Sequence, residues 1–253
     1  SFSILGYPGI LSYIGKGVAF TLILSVLAVV ISILLGSVLA LCRNYCHGRS
    51  RIFRWISTVY IEVFRNTPLL LWIFICLVAC PCPKFFARKM WGLTSVEMKI
   101  LFRAVVALVL FESSIIAEII RGGLNAIPKG QFEAAQAQGF NYLQRMAYII
   151  LPQSIPVMLP PMVNQVVNLF KNTSCLYIVG GADLISVTYS FVTGASTGGA
   201  YAPAYIVCGL IFFVVCFPLS TLATRWEASL KARKGRADPA LRTAARVELK
   251  EAA

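Results

Sequence analysis

The residues best able to do chemistry in this chain sit inside apolar segments. Asn164, Asn168 and Lys171 recur at four- and three-residue spacing, which places them on one face of a helix, with Pro161 nearby. Glu62 and Arg65 stand three apart, as do Glu118 and Arg121, and Glu112 interrupts the same run as Glu118. Polar groups are expensive in hydrocarbon, so such residues mark a solute path, pair with one another, or meet a partner. The Asn164/Asn168/Lys171 face can line a polar route near the bilayer midplane or contact a second subunit. The two pairs can neutralise each other, with Glu62 and Arg65 near the gate of that route. Alternatively, Glu62, Glu112 or Glu118 can carry protons in an ion-coupled carrier. Hydrolytic chemistry lacks its parts: the only histidine, His47, lies in a basic loop, and no Ser/His/Asp set accompanies it. Cys42, Cys46 and His47, or Cys80 and Cys82, have the wrong spacing for a zinc knuckle, so no metal is expected. No Gly-x-x-x-x-Gly-Lys-Ser/Thr loop occurs, so this chain itself is not expected to bind ATP.

The elements that hold these residues follow from composition. Of 253 residues, 58% are hydrophobic and only 13% charged, with mean hydropathy +0.77. A soluble domain is nearer half apolar and about a quarter charged. The excess implies an all-α polytopic membrane protein in contact with lipid. Five spans are expected, at about 18–42, 55–80, 101–120, 155–179 and 204–224. The first is long and lacks a small-residue cleavage site, so it reads as a span and not a signal peptide. Thr21, Ser25, Ala28, Ser32 and Gly36 form a small-residue stripe on it that invites close helix packing. Pro68 should kink or restart the second span, and Pro156, Pro160 and Pro161 should loosen the fourth.

The formal charge is +13, from 23 Lys and Arg against 10 Asp and Glu. The basic residues sit in short clusters between apolar runs with few aromatics interleaved, which points to membrane topology and away from nucleic acid. The 43–54 loop carries Arg43, Arg49, Arg51 and Arg54; the 121–153 loop carries Arg121, Lys129 and Arg145; the tail from 225 carries eight. The 172–203 connection carries none. The N-terminal segment 1–17 is therefore expected outside and the basic tail 225–253 in the cytoplasm, although Lys84, Arg88, Lys89 and Lys99 in the 81–100 loop run against the rule.

The 121–153 connection carries the sharpest pattern. Pro128 suits a helix start, 131–138 favours a short helix, and Gly139 suits a left-handed cap. A second amphipathic helix can then run from Tyr142 until Pro152 restricts it. Glu133-Ala134-Ala135, three residues, Gly139, nine residues, Ile149, one residue and Leu151-Pro152 resembles the EAA loop of bacterial ABC-importer permeases. Phe64-Arg65-Asn66-Thr67-Pro68, Ala117-Glu118-Ile119-Ile120-Arg121-Gly122-Gly123, Pro128-Lys129-Gly130-Gln131 and Lys171-Asn172-Thr173-Ser174 are similar to the polar amino acid branch of that family, the histidine/glutamine/glutamate-type permeases. The resemblance covers about 18–224.

The resemblance implies a type I-like importer in the bacterial inner membrane. Two permease subunits, alike or different, form the pore. A dimeric ATP-binding cassette ATPase binds ATP and Mg on its own chain, and an external binding protein delivers a polar amino acid. Gln131, Glu133, Ala134, Ala135 and Gly139 are then the ATPase-coupling residues. The small alanines would permit close docking, and Glu133 would offer a charge-assisted bond to a basic partner. Arg65 and Lys171 on the path favour glutamate, glutamine or aspartate over arginine, histidine or lysine, unless Arg65 is already paired.

Overall fold

Helices account for the regular structure of the chain. A computed structural model describes residues 10–46, 48–86, 88, 94–180, 183–194 and 201–237. His47, the start of the N-terminal segment, Lys89 and the tail beyond 237 lie outside the described residues. The order is α1 (Ile10–Tyr45), α2 (Arg51–Arg65), α3 (Leu69–Ala79), α4 (Ser95–Asn125), α5 (Lys129–Ala137), α6 (Tyr142–Gln144), α7 (Leu151–Asn172), α8 (Leu184–Gly194) and α9 (Tyr201–Ala237). A π-helical stretch, Arg145–Ile150, joins α6 to α7, and a 3-10 stretch, Thr173–Val179, follows α7. No strand occurs among the described residues.

Among the described residues, four helical stretches are long and apolar enough to cross a membrane, or five if the bent pair α2 and α3 makes one span. Of the two outcomes expected at Pro68, a kink or a restart, this pair is the restart, with α3 beginning at Leu69. Its two helices are bent by 111° at the Asn66–Pro68 break. Asn66 closes α2, its amide donating to the Glu62 carbonyl at 2.8 Å. Pro68 has no N–H to place in a helix and takes an extended conformation ahead of α3. The Thr67 hydroxyl receives the Trp72 indole N–H at 2.5 Å, and Phe64 stacks on Trp72, which fixes the corner from both sides.

The fold divides into two compact units. One comprises Ser1–Arg121 and Gln165–Phe217, the other Gly122–Asn164 and Pro218–Ala253. In the first unit α1 packs on α4 and α8 along its small-residue stripe. Thr21, Ser25, Ala28 and Ser32 are all buried. The Ser32 hydroxyl reaches the Val109 carbonyl, and the Thr21 hydroxyl accepts the Leu184 N–H that opens α8. Asp183 caps the same helix through the Ser186 and Ile185 N–H groups. Around this seam Leu24, Leu69, Ile73, Met98, Leu101, Ala104, Leu108 and Leu169 form one apolar core.

The second helix of the 121–153 loop departs from its expected end at Pro152: helical structure continues through that residue into α7. Pro152 is the second residue of α7 but lies inside continuous helix, so its missing N–H leaves a carbonyl one turn back without a helical donor. The π-helical widening immediately before it relieves the crowding a proline ring causes one turn back. Pro156, Pro160 and Pro161 likewise lie inside an unbroken α7. They withdraw the donors for the carbonyls of Pro152, Pro156 and Val157 without ending the helix.

A β-carbon at Gly36 would come within 2.8 Å of the Ile116 side chain and 2.9 Å of the Ser113 carbonyl, whereas nothing lies within 4 Å of one at Gly122. Gly36→Val should therefore cost about 1–3 kcal/mol through overpacking, read as a lower Tm of the detergent-solubilised protein. Gly122→Ala should match or exceed the parent; equal Tm for Gly36→Val and the parent would contradict this close approach.

Candidate functional site

The 121–153 segment, in the second unit, builds its shape from local rules. α5 ends in a Schellman motif: the Phe140 N–H reaches the Ala135 carbonyl at 3.1 Å and the Gly139 N–H reaches Gln136 at 3.0 Å. That closure needs a left-handed residue, and Gly139 has φ +81°. Two residues on, Asn141 opens α6 with a reciprocal capping box, each side chain bonding the other's backbone N–H at 2.9 Å with Gln144. Arg145 donates to the Gln136 side chain at 3.1 Å across the corner.

This corner sorts the expected coupling residues. Gln131, Glu133, Ala134 and Gly139 are exposed. Glu133 makes no ion pair among the described residues. Ala135 is different: it is 2% exposed and turned into the loop's own core, so it does not lie on the outward face beside Ala134. Its small size serves the packing of α5 on the Arg145–Ile150 stretch. Pro128 precedes α5 by one residue, with Lys129 its first helical position.

Asn164, Asn168 and Lys171 are all exposed along α7, as the spacing requires, and Pro161 is exposed with them. The residues between them turn inward: Gln165, Val167, Leu169 and Phe170 are buried. Sequence reading missed what that inner face does. Glu112, fully buried, accepts the Gln165 amide on one carboxylate oxygen and the Asn172 amide on the other, the latter at 2.9 Å. Among the described residues it has no ion pair. The only sequence signal was the costly carboxylate itself and an amide seven residues from another on α7.

Glu62 and Arg65 do pair, but weakly and not alone. Their contact is 3.5 Å and both side chains are two-fifths exposed. The organiser is Arg43, which the sequence reading counted only as a topology signal. Its two terminal nitrogens reach Glu62 at 2.8 Å and Glu118 at 2.6 Å. Arg121 closes on Glu118 at 2.7 Å, and Arg65 reaches Glu118 at 3.5 Å. The ends of α1, α2 and α4 thus share one ionic cluster. Arg65 is compensated by two carboxylates, which weakens its case as a selector of acidic substrates.

An outward-facing capped helix, an exposed amide-and-lysine face on a proline-rich helix and a buried carboxylate suit a transport subunit. They offer no nucleophile–base pair for catalysis. Comparison with known proteins agrees. The family model described as the binding-protein-dependent transport system inner membrane component matches residues 32–231. The chain is 34% identical over 204 residues to the inner membrane amino-acid ABC transporter permease protein YhdY of Escherichia coli K12, covering 81% of this chain and about half, 53%, of that longer protein. It is 33% identical over 218 residues to the probable glutamine ABC transporter permease protein GlnP of Bacillus subtilis, covering 86% of this chain and 93% of the relative. A crystal structure of an amino acid ABC transporter with histidines superposes at TM-score 0.71 with 28% identity, over 89% of this chain and 98% of that one. These matches displace the ion-coupled carrier and intramembrane-enzyme readings. The chain belongs to the binding-protein-dependent transport system inner membrane components, among the amino-acid ABC importer permeases, and is a multi-pass transport subunit rather than an enzyme.

Proposed function

We propose that α5 is the coupling helix through which a separate ATPase drives this permease, and that the exposed face of α7 lines the path of a polar amino acid. The observation that carries the first part is the exposed, rigidly capped Glu133–Ala134 face at the family spacing, with a carboxylate that makes no ion pair among the described residues. Gln131, Glu133 and Ala134 meet a groove of the ATPase, while Ala135 and Gly139 hold the helix in shape. ATP and Mg bind the ATPase dimer. Its closure moves this subunit and a second permease between inward- and outward-open states, and an external binding protein supplies substrate.

Asn164, Asn168 and Lys171 point away from their own buried core, which supports a path or subunit interface. Carbonyls freed by Pro160 and Pro161 add acceptors there for water or substrate. Lys171 and the glutamine permease relative support glutamine, glutamate or aspartate as cargo. Glu62 and Arg65, bound into the ionic cluster, act at the gate and do not read substrate. The N-terminus lies outside, the C-terminal tail in the cytoplasm, and the 121–153 loop on the tail's side.

Gly139→Val removes the residue that tolerates positive φ. Uptake should fall tenfold or more at normal membrane insertion, and parental uptake would refute coupling through this corner. Glu133→Lys should release the ATPase on purification; co-purification with intact stimulated hydrolysis would remove Glu133 from the contact. Asn164→Leu and Asn168→Leu should raise the transport KM or alter selectivity while basal ATP hydrolysis by the assembled complex stays intact. Lower yield and Tm with unchanged selectivity at both positions would assign that face to helix packing instead. In a cysteine-free background, Thr193→Cys should label from outside and Arg236→Cys only after permeabilisation; labelling from one side would overturn the topology.

A further inference from the structure

The first unit contains a helix whose surface is divided three ways, and a membrane span needs no such division. On α2, Ser57, Ile61 and Phe64 follow one stripe, and Ser57 and Ile61 are buried while Phe64 is half-buried. A second stripe, Ile52, Ile56, Val59 and Val63, is apolar and exposed throughout. The third, Arg51, Arg54, Thr58, Glu62 and Arg65, is polar along its whole length, and its three arginines are exposed. Trp55, 66% exposed, stands between the apolar and polar stripes. One side thus meets protein, one is greasy and one is charged.

The direction of α2 agrees with that division. α3 lies along α4: its residues Leu69, Ile73 and Cys76 share a core with Met98, Leu101, Ala104 and Leu108, and Arg103 of α4 donates to the Cys80 carbonyl just past α3 at 2.9 Å. α4 is 31 residues of span-length helix, so it and α3 set the crossing direction. α2 is bent 111° from α3 and cannot share that direction. Its C-terminal end is tied through Glu62 and Arg65 to Arg43 and Glu118, the charged ends of α1 and α4.

We propose that α2 lies in the plane of the membrane, at the headgroup–acyl boundary. Ile52, Ile56, Val59 and Val63 enter the acyl region there, and Arg51 and Arg54 bind the phosphates of anionic lipid. A basic polar face beside an aliphatic face with a tryptophan at their border is the surface such a boundary requires. A second permease subunit fits the stripe less well. Helix contacts within membranes favour small residues, as on the Thr21–Gly36 stripe, whereas this one is entirely β-branched. In-plane placement also takes α2 out of the bilayer crossing.

The test is spin-label depth in the assembled transporter, reconstituted in vesicles of mixed phosphatidylcholine and phosphatidylglycerol. Single cysteines at 52, 56, 59 and 63 carry the nitroxide, and collisions with oxygen and with a water-soluble nickel chelate report depth. All four should lie at one shallow depth, about 5–10 Å below the phosphates. A depth that changes steadily from 52 to 63 would make α2 part of a transmembrane helix and overturn the proposal. Labels hidden from both reagents would assign the stripe to a protein interface and overturn it equally. Replacing Arg51 and Arg54 by Gln should make the labels shallower or more mobile in the anionic vesicles and leave them unchanged in phosphatidylcholine alone. Identical depths for parent and variant in the anionic vesicles would refute the phosphate contact. Uptake in the same vesicles reports on coupling separately, because the placement of α2 does not depend on α5.

Discussion

The guanidinium of Arg43 is the constraint on which one end of the larger unit rests. A charge near the membrane boundary must be compensated where it stands, because removing one member of a partly buried pair strands the other. Arg43 faces two carboxylates from two different helices, at 2.6 and 2.8 Å. A planar fork can serve both at once; a lysine ammonium, a single point charge, could not hold the same geometry. The contacts are unequal in worth. Glu62 and Arg65 are well hydrated, and such pairs contribute about 0–1 kcal/mol. Arg43 and Glu118 are only 19% and 14% exposed, so alignment of α1 with α4 is where the cluster matters. The C-terminal end of α2 is tied to the same anchor through Glu62.

Much of the architecture was legible because it is written in short-range patterns. The stripe from Thr21 to Gly36 is the face α1 buries. Gly139 is the left-handed cap the spacing asked for, and Asn164, Asn168 and Lys171 share the exposed face their spacing assigned. The misses involve partners distant in sequence. Arg43 counted as one more loop cation, because nothing local says that Glu62 and Glu118 converge on it. Gln165 is a neighbour of Asn164 and faces the opposite way, toward a carboxylate 53 residues earlier. Ala135 and Ala134 are chemically identical, and only the tertiary turn decides which one faces out. Proline was legible in one place and not in another: Pro68 restarts the helix, though the angle of that corner is not written locally, and Pro152 ended nothing, a π-helical turn preceding it.

Glu112 shows how a transport subunit can keep an acid in its interior with no ion pair to it among the described residues. Two amides on a neighbouring helix satisfy one carboxylate oxygen each. Such a set is worth its desolvation only when complete, since a half-satisfied buried carboxylate is worse than an apolar residue. It also separates the two faces of α7 by chemistry. The inner face gives its amides to Glu112, and the outer face presents Asn164 and Asn168 exposed.

The corner between α5 and α6 has a consequence for how such subunits diversify. The residues that shape it, Ala135, Gly139, Asn141 and Gln144, and those that face outward, Gln131, Glu133 and Ala134, are separate sets. Substitution in the outward set leaves every cap and turn of the corner in place. Changes confined to the outward set therefore re-dress the surface this corner presents without touching the turn that holds it, so surface and scaffold can vary separately.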